Sequence, residues 1–317
     1  MSAAPERFHQ LDSPSAWELV LVSLFLTVVS YVALGANLFR GEIVAPMDLL
    51  LSGEAWPDQL HTEDVLYRNK PDILDAWLPR RIHVKSCLQD GELPLRNPPI
   101  AGGQPAFPLL FDSYISPSFL LFLLLPDGLG YTLGLLMRLS IAGLVTFLLC
   151  QLSLPTPSSV FGAVTFMLCG FNLSRLMWPQ VATSCWIPWV VWSFVRLMSR
   201  PSAGGIGLLA IATALMIFGG FPAVAGFALY PVALLFLWML FSVPENRPRT
   251  FRLALVTGYA MHLGFLLTGF QLLPGIEYLK TVDLSRRRAL LPIARLQHEP
   301  GGPFVRRLRP RDGGSRR

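Results

Sequence analysis

Charged side chains are scarce in this sequence. Lys, Arg, Asp and Glu make up 15% of its 317 residues, whereas a typical soluble domain carries about 25%. Apolar side chains make up 52%, and the mean hydropathy is +0.49. The shortage of charge indicates a molecular surface that faces lipid rather than water.

Residues that form disulfides or bind metals are also few. The four cysteines, at positions 87, 150, 169 and 185, contain no CxxC pair, and three lie in apolar segments, which favours buried thiols over a disulfide framework. The five histidines lack zinc-type spacing, and no P-loop, GxSxG or HExxH motif occurs. No metal ligand set is predicted; no cofactor is certain, and a divalent metal ion is left open.

The net charge of +6 comes from one end of the chain. Ten of the 26 basic side chains and three of the 20 acidic ones lie after residue 280, so the preceding part carries 16 basic and 17 acidic side chains. A nearly neutral body does not fit a nucleic-acid-binding surface. We therefore predict that membrane lipid is a partner and that nucleic acid is not.

The first apolar run covers residues 17–39 and is 23 residues long. The apolar core of a signal peptide has about 7–15 residues and follows a basic stretch, whereas the sequence before this run is scarcely basic. We therefore predict an uncleaved first transmembrane helix at 17–39, preceded by a cytoplasmic N-terminus at 1–16.

Residues 40–128 are predicted to form one large extracytoplasmic loop. A helix is predicted over 72–90, and the following part is irregular because it is rich in Pro and Gly. The apolar stretch near 114–126 is interrupted by Pro117 and Pro126, which leaves it too short to cross a bilayer. It is predicted to be re-entrant or interfacial.

The remaining apolar runs predict a six-helix transmembrane core at 129–273. They cover residues 130–151, 157–171, 182–199, 204–219, 222–243 and 252–273, and a spanning helix needs about 17 residues or more. The predicted fold class is an all-α integral membrane protein of about seven transmembrane helices. Residues 274–288 are then extracytoplasmic.

Arginines near the predicted span ends support this orientation. They are Arg196, Arg200, Arg247, Arg249 and Arg252. With the N-terminus inside, all of them fall at cytoplasmic ends, as the positive-inside rule requires. Counting 114–126 as a span would place them outside.

Four irregular segments would share the outer face. They are the large loop, residues 172–182, the GGFP break at 219–222 and the stretch after Leu273. Non-helical backbone at membrane depth is tolerated where it lines a protein cavity. Their convergence predicts a functional site on this face.

The candidate acids lie in the loop: Asp48 soon after the first span, and Asp72 with Asp75 at the start of the predicted helix. Group transfer to a hydroxyl needs a carboxylate as general base within hydrogen-bond reach of that hydroxyl. An Asp at a helix start is also a common cap. Both readings stay open for Asp72.

Arg138 lies inside an apolar span, where charge is costly and commonly functional. Its guanidinium can bind a phosphate through two parallel hydrogen bonds, or it can snorkel to the interface. Arg175, Glu277 and Arg286 would lie on the same face as further substrate-binding candidates, or as plain surface charges.

Several short motifs occur in a fixed order: PDILDAWLPRR at 71–81, DGELPLRNPPIAGGQP at 90–105, GGFP at 219–222, and QLLP at 271–274 followed by Glu277 and Ser285-Arg286. Together they resemble the motifs of YfhO-type bacterial membrane proteins. Ala76 and Arg96 replace a Gln and a Trp of the family pattern, and the GGFP break lacks its His and Gln. The likeness covers about residues 17–288.

The resemblance implies a fold and an activity. YfhO-type proteins belong to the GT-C class of glycosyltransferases, so it implies a GT-C-like multi-pass protein of the bacterial inner (cytoplasmic) membrane. It also implies transfer of a sugar from a polyprenyl-phosphate donor to an extracytoplasmic acceptor. Asp72 would be the catalytic base, with Asp48 as second choice, and Arg138 with Arg286 would neutralise the leaving phosphate.

Two other functions are kept as alternatives. A transporter or flippase of a lipid-linked intermediate would show internal repeats and paired broken helices, and the sequence shows one GGFP break and no repeat. A non-catalytic membrane subunit would insert stably without sugar-dependent activity.

The tail at 289–317 is rich in Arg, Gly and Pro and has no hydrophobic period. One reading is a disordered basic tail touching anionic lipid. The other is a truncated or frame-shifted end, since family members continue with further spans; the enzyme would then be incomplete and inactive alone.

Overall fold

The computed structural model describes residues 14–35, 38–46, 72–98, 103–106, 112–242 and 247–281, and the following description refers to these. The chain forms two compact units, Met1–Leu272 and Leu273–Arg317. The helices are α1 (Ala16–Leu34), α2 (Leu78–Gln89, after a π-helical turn at Ile73–Trp77), α3 (Pro117–Leu124), α4 (Asp127–Cys150), α5 (Thr156–Met167), α6 (Gly170–Ser174), α7 (Pro179–Ser184), α8 (Ile187–Ser199), α9 (Ala203–Phe218), α10 (Pro222–Phe227), α11 (Leu229–Ser242), α12 (Arg247–Leu267) and α13 (Gly269–Thr281). A 3-10 turn lies at Leu38–Arg40, and strands β1 (Arg96–Asn97) and β2 (Gln104–Pro105) pair antiparallel.

The described part of the chain is an all-α membrane protein. Its candidate membrane spans are Ala16–Leu34, Asp127–Cys150, Thr156–Ser174, Pro179–Ser199, Pro222–Phe241 and Pro248–Leu267. A seventh predicted run forms α9, which has 16 residues, about 24 Å of helix against a hydrocarbon core of about 30 Å. Within the described residues, six candidate spans therefore reach the required length, three of them by combining two consecutive short helices, and the predicted count of seven stays a prediction.

Some observed boundaries differ from the predicted ones because single residues end the helices. α1 stops at Leu34, before the predicted end at residue 39, because Gly35 adopts a φ of 69°. The predicted run at 252–273 is split at Thr268, whose hydroxyl donates to the carbonyl of Phe265 at 2.9 Å. A hydropathy profile cannot locate either event, since neither alters the apolar run.

α1 and α4 are antiparallel and define the two ends of the bundle. Near the end of α1, Val44 donates its N–H to the hydroxyl of Thr132 at the start of α4. At the opposite end, Thr156 donates to the carboxylate of Glu18. We call the end at which the polar segment leaves α1 and enters α4 the loop end.

The loop helix α2 is fixed to the turn between α3 and α4. Lys85 donates from Nζ to the carbonyl of Leu125 at 2.6 Å and to the carboxylate of Asp127 at 2.7 Å. The turn itself is tight: an added Cβ at Gly130 would lie 2.6 Å from the carbonyl oxygen of Leu121. Because residue 130 is glycine, α3 can fold back closely against α4. The contacts of Lys85 with Leu125 and Asp127 then place α2 at the loop end.

The breaks between later helices meet at the same end. An added Cβ at Gly219 would lie 2.5 Å from the backbone N and Cα of Thr183, and one at Gly220 would lie 2.7 Å from the carbonyl of Asp112. Phe221 donates its N–H to the Thr183 hydroxyl at 3.1 Å. The loop, the α6–α7 region and the α9–α10 break therefore lie together.

Candidate functional site

Arg138 forms the centre of a buried polar region at the loop end. Its side chain is 2% exposed. Nε donates to the Ser118 hydroxyl at 3.2 Å, and Nη1 donates to the carbonyls of Leu176 and Trp178 at 3.0 and 3.2 Å. These carbonyls belong to the non-helical stretch between α6 and α7, and the Arg138 guanidinium satisfies them in the absence of helical partners. Arg138 points into the protein and does not snorkel.

Arg81 brings a second guanidinium from the loop helix to this region. It is 5% exposed, and Nη2 donates to the Ser113 hydroxyl at 2.6 Å. Its guanidinium carbon lies 5.9 Å from the ring centroids of Phe119 and Tyr131, within the range of cation–π attraction. The positive charges of Arg81 and Arg138 are close enough to repel each other.

Asp112 is the buried carboxylate of the region. Its side chain is 1% exposed, and Oδ2 lies 3.9 Å from Nη1 of Arg80. Burial raises the pKa of Asp112 to about 6, against the opposing effects of Arg80, the Tyr114 hydroxyl and Arg81. Burial and the neighbouring Asp112 raise the pKa of Tyr114. Arg80 and Arg81 thus face one carboxylate, and Arg138 lies near Arg81, so the region carries an excess of positive charge.

Ionisation of Asp112 is expected to reduce stability. The pKa rises from 3.8 to about 6 on folding, so the folded state binds the proton more tightly than the unfolded state does. The free energy of unfolding should therefore fall as the pH rises through this range, by up to about 3 kcal/mol. Detergent-solubilised Asp112→Asn should lack this component in chemical unfolding. Identical pH dependence of the two proteins would contradict the assignment.

The predicted loop acids are exposed. Asp72 and Asp75 lie at the start of the helical segment that leads into α2, and Asp72 makes no side-chain capping hydrogen bond. This argues against a cap. Trp77 of this segment packs edge-on against Trp178, with 6.4 Å between the two ring centroids. The carbonyl of Trp178 is one of the groups that accept hydrogen bonds from Arg138. Within the described residues, no hydrogen bond or ion pair joins either acid to Arg138.

Arg175 and Glu277 are the remaining predicted site residues that the structure describes, and both are exposed. Arg175 is exposed, with its guanidinium carbon 5.7 Å from the Trp178 ring centroid. Glu277 is exposed on the part of α13 that belongs to the second unit. Asp48 and Arg286 lie outside the described residues, so their predicted roles stay predictions.

Sequence reasoning missed Arg80, Arg81, Asp112 and Tyr114. One signal was available: Asp112 is the only charged residue between Arg96 and Asp127. A lone acid in an otherwise uncharged stretch is costly to bury and marks a position with a partner. Its partners come from a helix about 30 residues earlier, so local pattern could not identify them.

None of the comparisons with known proteins identifies a protein related to this chain. The sequence matches no protein-family model, no curated protein and no solved structure. In the described part of the chain, no three side chains of His, Cys, Asp or Glu come together as a set of metal ligands.

Proposed function

We propose that the chain is a membrane glycosyltransferase that moves a sugar from a polyprenyl-phosphate donor to an extracytoplasmic acceptor. The observation that carries the proposal is the excess of buried positive charge at the loop end. Arg81 and Arg138 are almost fully buried and near each other, and Asp112 is the carboxylate that faces Arg81. The motif resemblance to YfhO-type proteins supports the same reading, and a GT-C-like fold is part of what we propose.

Buried charge of one sign is unfavourable unless an opposite charge neutralises it. An arginine guanidinium binds phosphate oxygens through parallel hydrogen bonds. The hydrogen bonds of Arg138 use Nε and Nη1, and that of Arg81 uses Nη2. Among the described residues, Nη2 of Arg138 and the Nε and Nη1 of Arg81 are left for an anion.

The same arrangement suits the departure of a lipid phosphate. The acceptor oxygen bonds to the anomeric carbon while the bond from that carbon to the phosphate oxygen breaks. The electron pair leaves with the polyprenyl phosphate, and nearby guanidinium groups stabilise its growing charge. Both substrates are held at one membrane surface, which lowers the entropic cost of bringing them together.

Binding of polyprenyl phosphate tests the proposal. Arg81→Gln removes the charge and shortens the side chain, and should weaken binding about tenfold or more, because a hydrogen bond to a charged group contributes about 1.5–3 kcal/mol. Purified protein in detergent micelles would be titrated with fluorescent polyprenyl phosphate and with the unphosphorylated polyprenol.

Arg196→Gln is the matched control, because Arg196 also lies over an aromatic ring, with its guanidinium carbon 4.9 Å from the Trp192 centroid, but on α8. It should bind as the wild type does. Equal binding of polyprenol and polyprenyl phosphate, or an unaffected Arg81→Gln, would count against the proposal. Transfer of radiolabelled sugar from the donor then identifies the reaction.

A further inference from the structure

Three buried polar atoms at the loop end have no hydrogen-bond partner among the described residues. They are Oδ2 of Asp112, the hydroxyl of Tyr114 and Oε1 of Gln271. Buried polar atoms in folded proteins are nearly always paired, and each unpaired one costs about 1–3 kcal/mol. A group of such atoms in one place leaves hydrogen-bonding capacity that a polar ligand can use.

The three atoms come from neighbouring side chains. Gln271 Nε2 approaches the backbone carbonyl of Asp112 at 3.5 Å, which places the amide beside the 112–114 segment. The Tyr114 hydroxyl is near enough to Asp112 for each to affect the other's pKa, although the two make no well-formed hydrogen bond. The first turn of α13 and the 112–114 segment thus form the two sides of one polar site.

The chemistry of these atoms fits a hydroxyl-bearing ligand. A carboxylate oxygen and an amide oxygen accept hydrogen bonds, and a phenol hydroxyl both donates and accepts. A metal cation is disfavoured because Arg80 Nη1 already lies 3.9 Å from Asp112 Oδ2. The hydroxyl groups of alcohols and sugars both donate and accept hydrogen bonds, so they can pair with all three of these atoms.

The geometry points to Asp112, and not Asp72, as the carboxylate that takes the proton from the acceptor hydroxyl. This inference rests on the proposed transferase function. As the acceptor oxygen bonds to the anomeric carbon, its proton moves to Oδ2 of Asp112, and the carbon–phosphate-oxygen bond breaks with its electron pair on the lipid phosphate. The protonated carboxyl group later returns the proton to solvent.

Asp112 adjoins the proposed phosphate site. The next residue, Ser113, accepts a hydrogen bond from Arg81, and Arg81 in turn lies near Arg138. Asp72, by contrast, is exposed to solvent. A base acts within about 3 Å of the proton it removes, so proximity to the leaving group favours Asp112.

The charged surroundings keep Asp112 suited to proton transfer. The groups that face it are Arg80 and Arg81 from α2, together with the Tyr114 hydroxyl. The α9–α10 break at Gly220 and the start of α13 at Gln271 contribute no charge. A carboxyl pKa of about 6 lies close to neutral pH, where a general base works most effectively.

Asp112→Asn and Asp72→Asn separate the two assignments. Full-length protein would be given polyprenyl-phosphate donors carrying radiolabelled glucose, mannose or galactose, and release of label to water and to membrane acceptors would be measured. Asp112→Asn should lower the rate at least about a hundredfold while leaving polyprenyl-phosphate binding intact. Asp72→Asn should retain activity, and Asp112→Glu should recover part of it.

The pH profile distinguishes proton transfer from a structural role. The acid limb of the wild-type rate should fall below about pH 6, and Tyr114→Phe should shift its midpoint because the hydroxyl affects the Asp112 carboxyl group. In parallel, infrared spectroscopy should show a protonated carboxyl band that disappears as the pH rises through this value and that is missing from Asp112→Asn.

The inference would be overturned if Asp72→Asn lost activity while Asp112→Asn kept it. It would also be overturned if the infrared spectra of the wild type and Asp112→Asn matched at every pH. Failure of the proposed function has a different signature. In that case the wild type would not prefer polyprenyl phosphate over polyprenol, whatever the behaviour of the Asp112 carboxyl band.

Discussion

Substitution of Gly220 by alanine is expected to lower the free energy of unfolding by about 3 kcal/mol or more. Gly220 has a φ of 81°, a conformation that residues with a Cβ adopt at a cost. The added Cβ would also lie 2.7 Å from the carbonyl carbon and oxygen of Asp112 and 2.9 Å from the backbone nitrogen of Ser113. Since these are backbone atoms, the two segments would have to separate.

Gly207→Ala is the matched control. Gly207 lies in α9, and a Cβ there would meet nothing within 4 Å. Alanine should be neutral or stabilising there by about 0.5–1 kcal/mol, because it favours the helix. Thermal unfolding of both variants in the same detergent measures the difference. A Gly220→Ala protein that unfolds at the wild-type temperature would show that the loop segment does not pack against the α9–α10 break.

Replacement of Arg138 by methionine should be nearly as damaging. Methionine has about the right length, but it cannot donate to the carbonyls of Leu176 and Trp178 or to the Ser118 hydroxyl. Removing a buried charge is often tolerated when its partners are replaced with it. Here two partners are backbone carbonyls that no side-chain change removes, so we expect a loss of about 3 kcal/mol or more.

Two further variants separate the structural and functional roles of Arg138. Arg138→Gln keeps an amide donor without the charge, so it should fold better than Arg138→Met yet bind polyprenyl phosphate about tenfold more weakly or worse. Arg175→Met changes an exposed arginine beside Trp178 and should alter stability by no more than about 0.5 kcal/mol. Equal unfolding of Arg138→Met and wild type would refute a structural role for the guanidinium.

Hydropathy predicted most of the helical framework. The apolar runs correspond to α1, α4, α5 and the helices from α8 to α12, and the helix predicted over 72–90 corresponds to the π-helical turn and α2. Such runs are informative because apolar side chains in lipid and hydrogen bonds within one helix are local requirements. Because charge at membrane depth is costly, the sequence alone likewise indicated that Arg138 is unusual.

The helix ends and the number of spans were harder to predict from the sequence. Gly35 ends α1 because of its backbone angle, and α9 has 16 residues, fewer than the candidate spans, which have 19 to 24. The predicted run at 204–219 gave no sign of this difference, since its composition is as apolar as that of its neighbours. The length of a helix depends on where its neighbours allow the chain to turn.

The sequence by itself determined that this is a helical membrane protein with a polar segment after the first span, because lipid exposure depends on local composition. Only the tertiary structure decided which charged side chains share an environment. It left Asp72 exposed and placed Asp112 between Arg80 of the loop helix and Gln271 of α13. Burial and pairing depend on segments far apart in the chain, and a residue's own neighbours in sequence do not specify them.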